Sequence, residues 1–313
     1  MRIFLAGATG AIGQSLTPML VEAGHQVVGT TSTKGHERAV ADMGAEPVVM
    51  DGLDHDAVVS AVTNAEPDVV IHQLTALKGL SNMKRFDREF ALSNRLRIEG
   101  TDSLLAAARA AGARRFIAQS YTGWTNPRTG TTLKTEQDPL DPDPAAGSEE
   151  TLAAIRHVER VVLSAPDLTG IVLRYGGFYG GGTGLSRGGD MLATVHKRKF
   201  PVVGGGTGVW SLVHIRDAAR ATALAVEHGE PGLYNVVDDD PAPVREWLPV
   251  LAEEVGAKPP MRLPGWLARP LIGPYGMSVM TEIRGSSNAK AKRELGWTLE
   301  FPTWRQGFRT GLG

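Results

Sequence analysis

No cysteine occurs anywhere in the 313 residues. That excludes disulfides, thiolate nucleophiles, cysteine-ligated zinc and iron–sulfur clusters, and it suits a reducing cytoplasm. No apolar run reaches the roughly 18 residues that a membrane-spanning helix needs. The short apolar stretch Met1–Ala8 passes straight into a glycine-rich turn, so it reads as a first strand rather than the core of a signal peptide. No basic run stands out: 33 Lys and Arg offset 34 Asp and Glu, and the electrostatic footprint of a nucleic-acid binder is missing. No His-x-x-x-His pair or carboxylate cluster has metal-ligand spacing, so no metal is expected. The expected partner is a small-molecule substrate, with neither nucleic acid nor a membrane. What remains is a chain with 42% hydrophobic and 21% charged residues, an ordinary balance for a globular protein that buries its core without staples.

The first half alternates strand and helix patterns. Arg2–Ala6, Gln26–Thr30, Pro47–Met50, Asp68–His72 and Arg114–Gln119 are short, apolar, β-branched runs of the kind buried in a parallel sheet. Between them, Ala11–Ala23 carries apolar residues at helical spacing and stops at Gly24, Asp54 offers an N-cap, and a long helical stretch runs over Phe86–Ala111. This alternation predicts an α/β fold with a Rossmann-type doubly wound parallel sheet over residues 1–175. Residues 121–147 read as a functional loop, Glu149–Leu163 as helix and Leu168–Arg174 as strand. Residues 176–313 read mainly as a smaller α/β substrate lobe, with the segments of about 210–240 returning to the first domain.

The strongest motif is Gly7-Ala8-Thr9-Gly10-Ala11-Ile12-Gly13, set between a strand and a helix. Its first glycine permits the tight turn, its second lets backbone approach a pyrophosphate, and its third lets helix and strand pack closely. The helix N-terminus then aims free N–H groups at the phosphates. With this spacing the chain resembles the extended short-chain dehydrogenase/reductase superfamily, the relatives of NAD-dependent sugar epimerases and dehydratases. The resemblance runs on through Asp51-Gly52-Leu53, Asp68–His72, Asn94, Gly100-Thr101, Phe116–Ser120, Val213–Ala219, Tyr234-Asn235-Val236 and Ala289–Trp297. It implies that Asp51, Gly52 and Leu53 flank an adenine, and that Leu74, Thr75, Ala76 and Gln119 line the path toward a nicotinamide ribose. It also implies that Tyr175, Gly176 and Phe178 border the nicotinamide. Relatives often pair through the helices corresponding to Phe86–Ala111 and Glu149–Leu163, and their alanine-rich faces here permit a homodimer.

An NAD site usually places a carboxylate at the end of the second strand, for the ribose 2′-OH. Here that stretch reads Gly29-Thr30-Thr31-Ser32-Thr33-Lys34, with no acid before Glu37. A 2′-phosphate would meet the hydroxyls of Thr31 and Ser32 and the cations Lys34 and Arg38, so NADP(H) is favoured over NAD(H).

The superfamily's chemistry rests on a Ser, a Tyr and a Lys four residues after the Tyr. Resemblance assigns the Ser to Ser120. Aligning on Glu159 puts Thr151 and Ile155 where the Tyr and Lys belong, and Glu149–Leu163 contains no Tyr and no Lys at all. Substitute phenols are Tyr121, Tyr175 and Tyr179, each able in principle to act as a general acid; Tyr234 and Tyr275 read as structural. The apolar segment Pro264–Thr281 reads as a lid or a dimer contact. These features point to an NADP(H)-dependent oxidoreductase with an atypical proton donor, acting on a small or apolar substrate. Two alternatives stand beside it: an isomerase, epimerase or lyase that uses its nucleotide transiently, and a non-catalytic NADP(H) sensor.

Overall fold

The computed structural model describes residues 1–77 and 82–313. Seven strands form one parallel sheet: β1 (Arg2–Ala6), β2 (Gln26–Thr31), β3 (Glu46–Val49), β4 (Val69–His72), β5 (Arg115–Tyr121), β6 (Thr169–Tyr175) and β7 (Gly232–Val236). Their spatial order is β7-β6-β5-β4-β1-β2-β3. The order reverses between β1 and β4, which is the crevice where doubly wound sheets bind ligands, beyond the carboxyl ends of the strands. Central strands such as Val69–His72 are buried on both faces, which explains their unbroken apolar character.

Helices cover both faces. On one side α1 (Ala11–Glu22) turns Ile12, Leu16 and Leu20 into the core. On the other, α3 (His55–Ala65) buries Val58 and Val62, and its N-terminus is capped by Asp54 Oδ1, which accepts from the Ala57 amide at 3.1 Å. Between these two in sequence, residues 37–42 form α2 (Glu37–Asp42), so Arg38 stands on a short helix rather than in a loop.

The long helical stretch is not uniform. It comprises α4 (Phe86–Arg95), one π-helical turn at Leu96–Gly100, and α5 (Thr101–Ala110). Inserted π turns of this kind re-aim side chains and concentrate at functional sites. Next, α6 (Glu149–Leu163) packs against α4 and the sheet. Its first-turn amides are capped from outside: Asp87 accepts from the Glu150 and Thr151 amides at 3.0 and 2.9 Å.

The remaining helices are α7 (Asp190–His196), α8 (Ile215–Glu227), α9 (Val244–Glu254), α10 (Gly265–Thr281), α11 (Ala289–Leu295) and α12 (Trp304–Thr310). α8 packs on α1, and β7 joins the main sheet. A second apolar core, including Trp247, Trp304 and Phe308, gathers α7, α9, α10 and α12. The segment Pro264–Thr281 is thus a helix, kinked at Gly273 between Pro270 and Pro274. Its first half leaves Trp266 and Leu271 exposed, and its second half buries Tyr275, Val279 and Met280. No helix among the described residues is long and apolar enough to cross a membrane.

Candidate functional site

The Gly7–Gly13 turn closes over the end of β1. Gly7 has φ +101°, a conformation that only glycine adopts without strain, and a Cβ there would lie 2.9 Å from the Gln73 carbonyl oxygen. The Gly7 amide donates to Thr30 Oγ1 and the Ala8 amide to the Thr30 carbonyl, both at 3.0 Å, tying the turn to β2. Gly10 has no side chain to cap α1, and no acid lies in its first turn. The amide end of α1 is left open to an anion, as the pyrophosphate cradle requires.

At the far end of this crevice, Thr31 is buried, with Oγ1 accepting from the Thr33 amide at 3.3 Å. Ser32 and Lys34 are exposed. Arg38 is also exposed, 4.0 Å from Asp42. Asp51 Oδ1 receives the Leu53 amide at 3.0 Å, and Gly52 is buried against Leu74. The Ala76 amide and carbonyl both bind Ser93 Oγ at 3.0 Å, and Gln119 Nε2 donates to the Leu74 carbonyl at 2.9 Å. The strand ends that would flank a nucleotide are therefore braced by side chains from α4 and β5.

His72, at the end of β4, is 1% exposed, and its Nδ1 accepts from the Leu74 amide at 3.2 Å. Burial pushes its pKa down to about 4, and the charge of Arg97 adds to this. The unfolded ring titrates near 6.5. Stability from the neutral ring is therefore fully present above that value and is lost as pH falls toward 4. On the order of 3 kcal/mol should disappear across that window. Urea denaturation between pH 7 and 4 should show this loss in the wild type and a flatter profile in His72→Asn.

The four hydroxyls singled out from sequence have different fates. Ser120 Oγ donates inward to Glu159 Oε1 at 2.8 Å. The same carboxylate takes a bidentate pair from Arg174, at 2.7 Å from Nε and 2.6 Å from Nη2. Tyr175 is buried, bonded to Gln73 Nε2 at 2.9 Å and Thr222 Oγ1 at 2.7 Å, and burial raises its pKa to about 12. Tyr179 is fully buried between His214 and Phe308, and burial raises its pKa strongly. Gly176 packs its Cα against the Ser211 carbonyl, while Phe178 lies half-buried beside Tyr175. Tyr121 is half-buried rather than enclosed and, like Tyr179, has no hydrogen-bond partner for its hydroxyl among the described residues. Burial lifts its pKa to about 12, so at neutral pH it keeps its proton.

The helix positions that the resemblance assigns to the superfamily's Tyr and Lys are closed. Thr151 is 0% exposed, donating from Oγ1 to Asp87 at 2.6 Å and accepting from Asn94 Nδ2 at 3.0 Å; Ile155 is 1% exposed. Beside Tyr121 stands a group of aromatic rings not foreseen as a unit. Phe86 stacks on Tyr275 at 3.8 Å and meets Trp124 edge-on at 5.2 Å; Phe90 lies 4.3 Å from Phe86, and Trp124 6.2 Å from Tyr121. Arg97, 9% exposed, closes this group with its guanidinium 5.7 Å from the Phe90 ring. The sequence signal available for it was an arginine between Leu96 and Ile98 inside a helical stretch.

A family model described as the NAD dependent epimerase/dehydratase family matches residues 3–236. The chain belongs to this family. Proteins similar to it in sequence include a 3-diazoavenalumate denitrifying reductase from a Streptomyces species, 44% identical, covering 98% of this chain and 99% of that one. A second relative is the 4-hydroxy-2-methyl-3-oxo-4-farnesyl-3,4-dihydroquinoline-1-oxide ketoreductase of Stigmatella aurantiaca, 29% identical over 82% of this chain and 74% of its own. Among solved structures, the UDP-glucose 4-epimerase of Thermotoga maritima with UDP-glucose aligns with a TM-score of 0.78 at 21% identity, covering 100% of this chain and 97% of that one. At that identity it bears on the fold alone. Together the family match and the reductase relatives make the protein an NAD(P)-dependent oxidoreductase of the epimerase/dehydratase family.

Proposed function

We propose that the protein is an NADP(H)-dependent reductase that delivers hydride to a strongly electrophilic group on a small aromatic substrate, a ring-bound diazonium group being the acceptor that fits its chemistry. The observation that carries this reading is the absence of a proton relay on α6, which contains neither Tyr nor Lys. Ser120 already spends its proton on Glu159, and Tyr121 holds its own firmly. Reducing a carbonyl creates an oxyanion that must be protonated in place. A diazonium carbon that gains hydride loses N₂ and becomes a C–H bond, with no oxyanion and no proton to deliver. The 44% identical relative is named for reduction of a diazo compound, which supports this assignment.

The residues present fit a dinucleotide. Gly7, Thr9, Gly10, Ala11, Ile12 and Gly13 would hold the pyrophosphate at the uncapped end of α1. Thr31, Ser32, Lys34 and Arg38 would hold a 2′-phosphate, Asp51, Gly52 and Leu53 would flank the adenine, and Leu74, Thr75, Ala76 and Gln119 would line the inner path. The nicotinamide, when bound, supplies the hydride. Tyr121 serves as a hydrogen-bond donor that orients the substrate. Tyr175 and Tyr179 act as supports, because their hydroxyls are enclosed.

The test follows nicotinamide absorbance with NADPH or NADH and an arenediazonium substrate beside a simple aryl ketone. The expected result is NADPH-preferring turnover of the diazonium compound alone, with one N₂ released per NADPH. Lys34→Glu should lower the preference for NADPH by about tenfold, one charge-assisted phosphate contact being worth about 1.5 kcal/mol. Product formed without net nucleotide consumption would replace this reading with the isomerase or lyase alternative.

A further inference from the structure

A guanidinium buried inside a protein ordinarily carries a counter-ion. Arg174, 2% exposed, is paired with Glu159 at 2.6 Å. Arg97 breaks the pattern. It is nine-tenths buried, yet it forms no ion pair among the described residues. Its one side-chain hydrogen bond among the described residues runs from Nη1 to the neutral Asn94 Oδ1 at 3.1 Å. Leaving a cation in an apolar setting is costly unless something neutralises it. Burial does lower its pKa, but only to about 10, so it stays charged at neutral pH.

Its position is specific. The π turn Leu96–Gly100 carries Arg97 inward at the junction of α4 and α5. There it meets Phe90, and it lies within electrostatic reach of Tyr275 and of His72 at the end of β4. Tyr275 is in turn close enough to Tyr121 for the two phenols to influence each other. Neither phenol has a hydrogen-bond partner for its hydroxyl among the described residues. Two free phenol donors and a positive charge that uses one of its N–H groups on Asn94 thus lie near the half-buried rings of Phe90, Tyr121 and Trp124. A few convergent polar groups among aromatic walls mark a small-molecule site, and a planar guanidinium matches a carboxylate in shape and charge.

The geometry points to Arg97 as the anchor for a carboxylate on the substrate, which would make the substrate class a flat aromatic carboxylic acid with its ring held against Phe90, Tyr121 and Trp124. This builds on the reductase reading above, adding the acid group to the substrate's description.

The test is binding rather than turnover. The probe is 4-hydroxycinnamic acid, with its methyl ester as the uncharged control, titrated calorimetrically into the full-length protein and into Arg97→Gln and Arg97→Lys. NADPH affinity is measured in each. The wild type should bind the acid at least about tenfold more tightly than the ester. Arg97→Gln should lose that discrimination, Arg97→Lys should keep part of it, and NADPH affinity should stay within about twofold. Equal binding of acid and ester by the wild type would overturn the assignment, as would wild-type discrimination in Arg97→Gln. Should Arg97→Gln fail to fold, the acid–ester comparison in the wild type and Arg97→Lys still decides. If the acid is selected but no diazonium compound is reduced, the reductase reading fails and the carboxylate site stands. If diazonium compounds are reduced with no preference for an acid, the reverse holds.

Discussion

Glu159→Ala is expected to destabilise the protein by about 3–5 kcal/mol, the usual cost of leaving one member of a buried ion pair behind. The wild-type carboxylate accepts three hydrogen bonds, two from Arg174 and one from Ser120. Arg174 is only 2% exposed, and its Nη1 already lacks a partner. Without Glu159 its charge has neither water nor carboxylate. Ser120 and Arg174 sit opposite each other near the carboxyl ends of β5 and β6, so the disturbance falls at the edge of the crevice. Urea denaturation at neutral pH measures the effect. The double variant Glu159→Met with Arg174→Met should recover most of the loss, because it removes both charges and keeps the volume. A loss under about 1 kcal/mol in the single variant would mean that Arg174 finds another acceptor or water.

Gly13→Ala should abolish nucleotide binding more completely than any change to a polar residue of the crevice. A Cβ at this position would overlap the carbonyl oxygens of Gly7 and Ala8 and lie 2.6 Å from the Ala8 carbonyl carbon. These are backbone atoms of the turn itself, so relief requires opening the turn. That displaces the amides at the start of α1 that a pyrophosphate would use. Losing two such charge-assisted hydrogen bonds corresponds to a weakening of about a hundredfold or more. The strain itself should cost about 1–3 kcal/mol of stability. Gly181→Ala is the control, since a Cβ there has nothing within 4 Å. NADPH titration followed by nicotinamide fluorescence reads both variants. Wild-type affinity in Gly13→Ala would remove the pyrophosphate role from this turn.

Much of the fold was legible because its signals are local. Arg2–Ala6 and Glu149–Leu163 were bounded from sequence as the structure has them, the first by a glycine turn, the second by a 3.6-residue apolar period. Where the local signal weakens, the reading thinned. α2 is six residues long and was not foreseen. α10 contains two prolines and a glycine with φ 70°, so it did not read as helix. Phe86–Ala111 showed its length but not its π turn, which packs against the sequence-distant α6.

The candidate site divides along the same line. By itself the sequence determined the nucleotide-binding class, because a phosphate cradle is one contiguous turn whose glycines are required by sterics within seven residues. It also determined that α6 carries no Tyr or Lys, which is a matter of composition. Only the tertiary structure decided which hydroxyls are spent and which are free. Tyr175 is occupied by Gln73 and Thr222, 102 and 47 positions away, whereas Tyr121 has no such partner among the described residues. Likewise, only the fold brings Phe86, Arg97, Tyr121, Trp124 and Tyr275 together and leaves Arg97 without a carboxylate partner among the described residues. Whether a polar group is satisfied depends on neighbours contributed by distant elements, and packing alone decides which neighbours arrive.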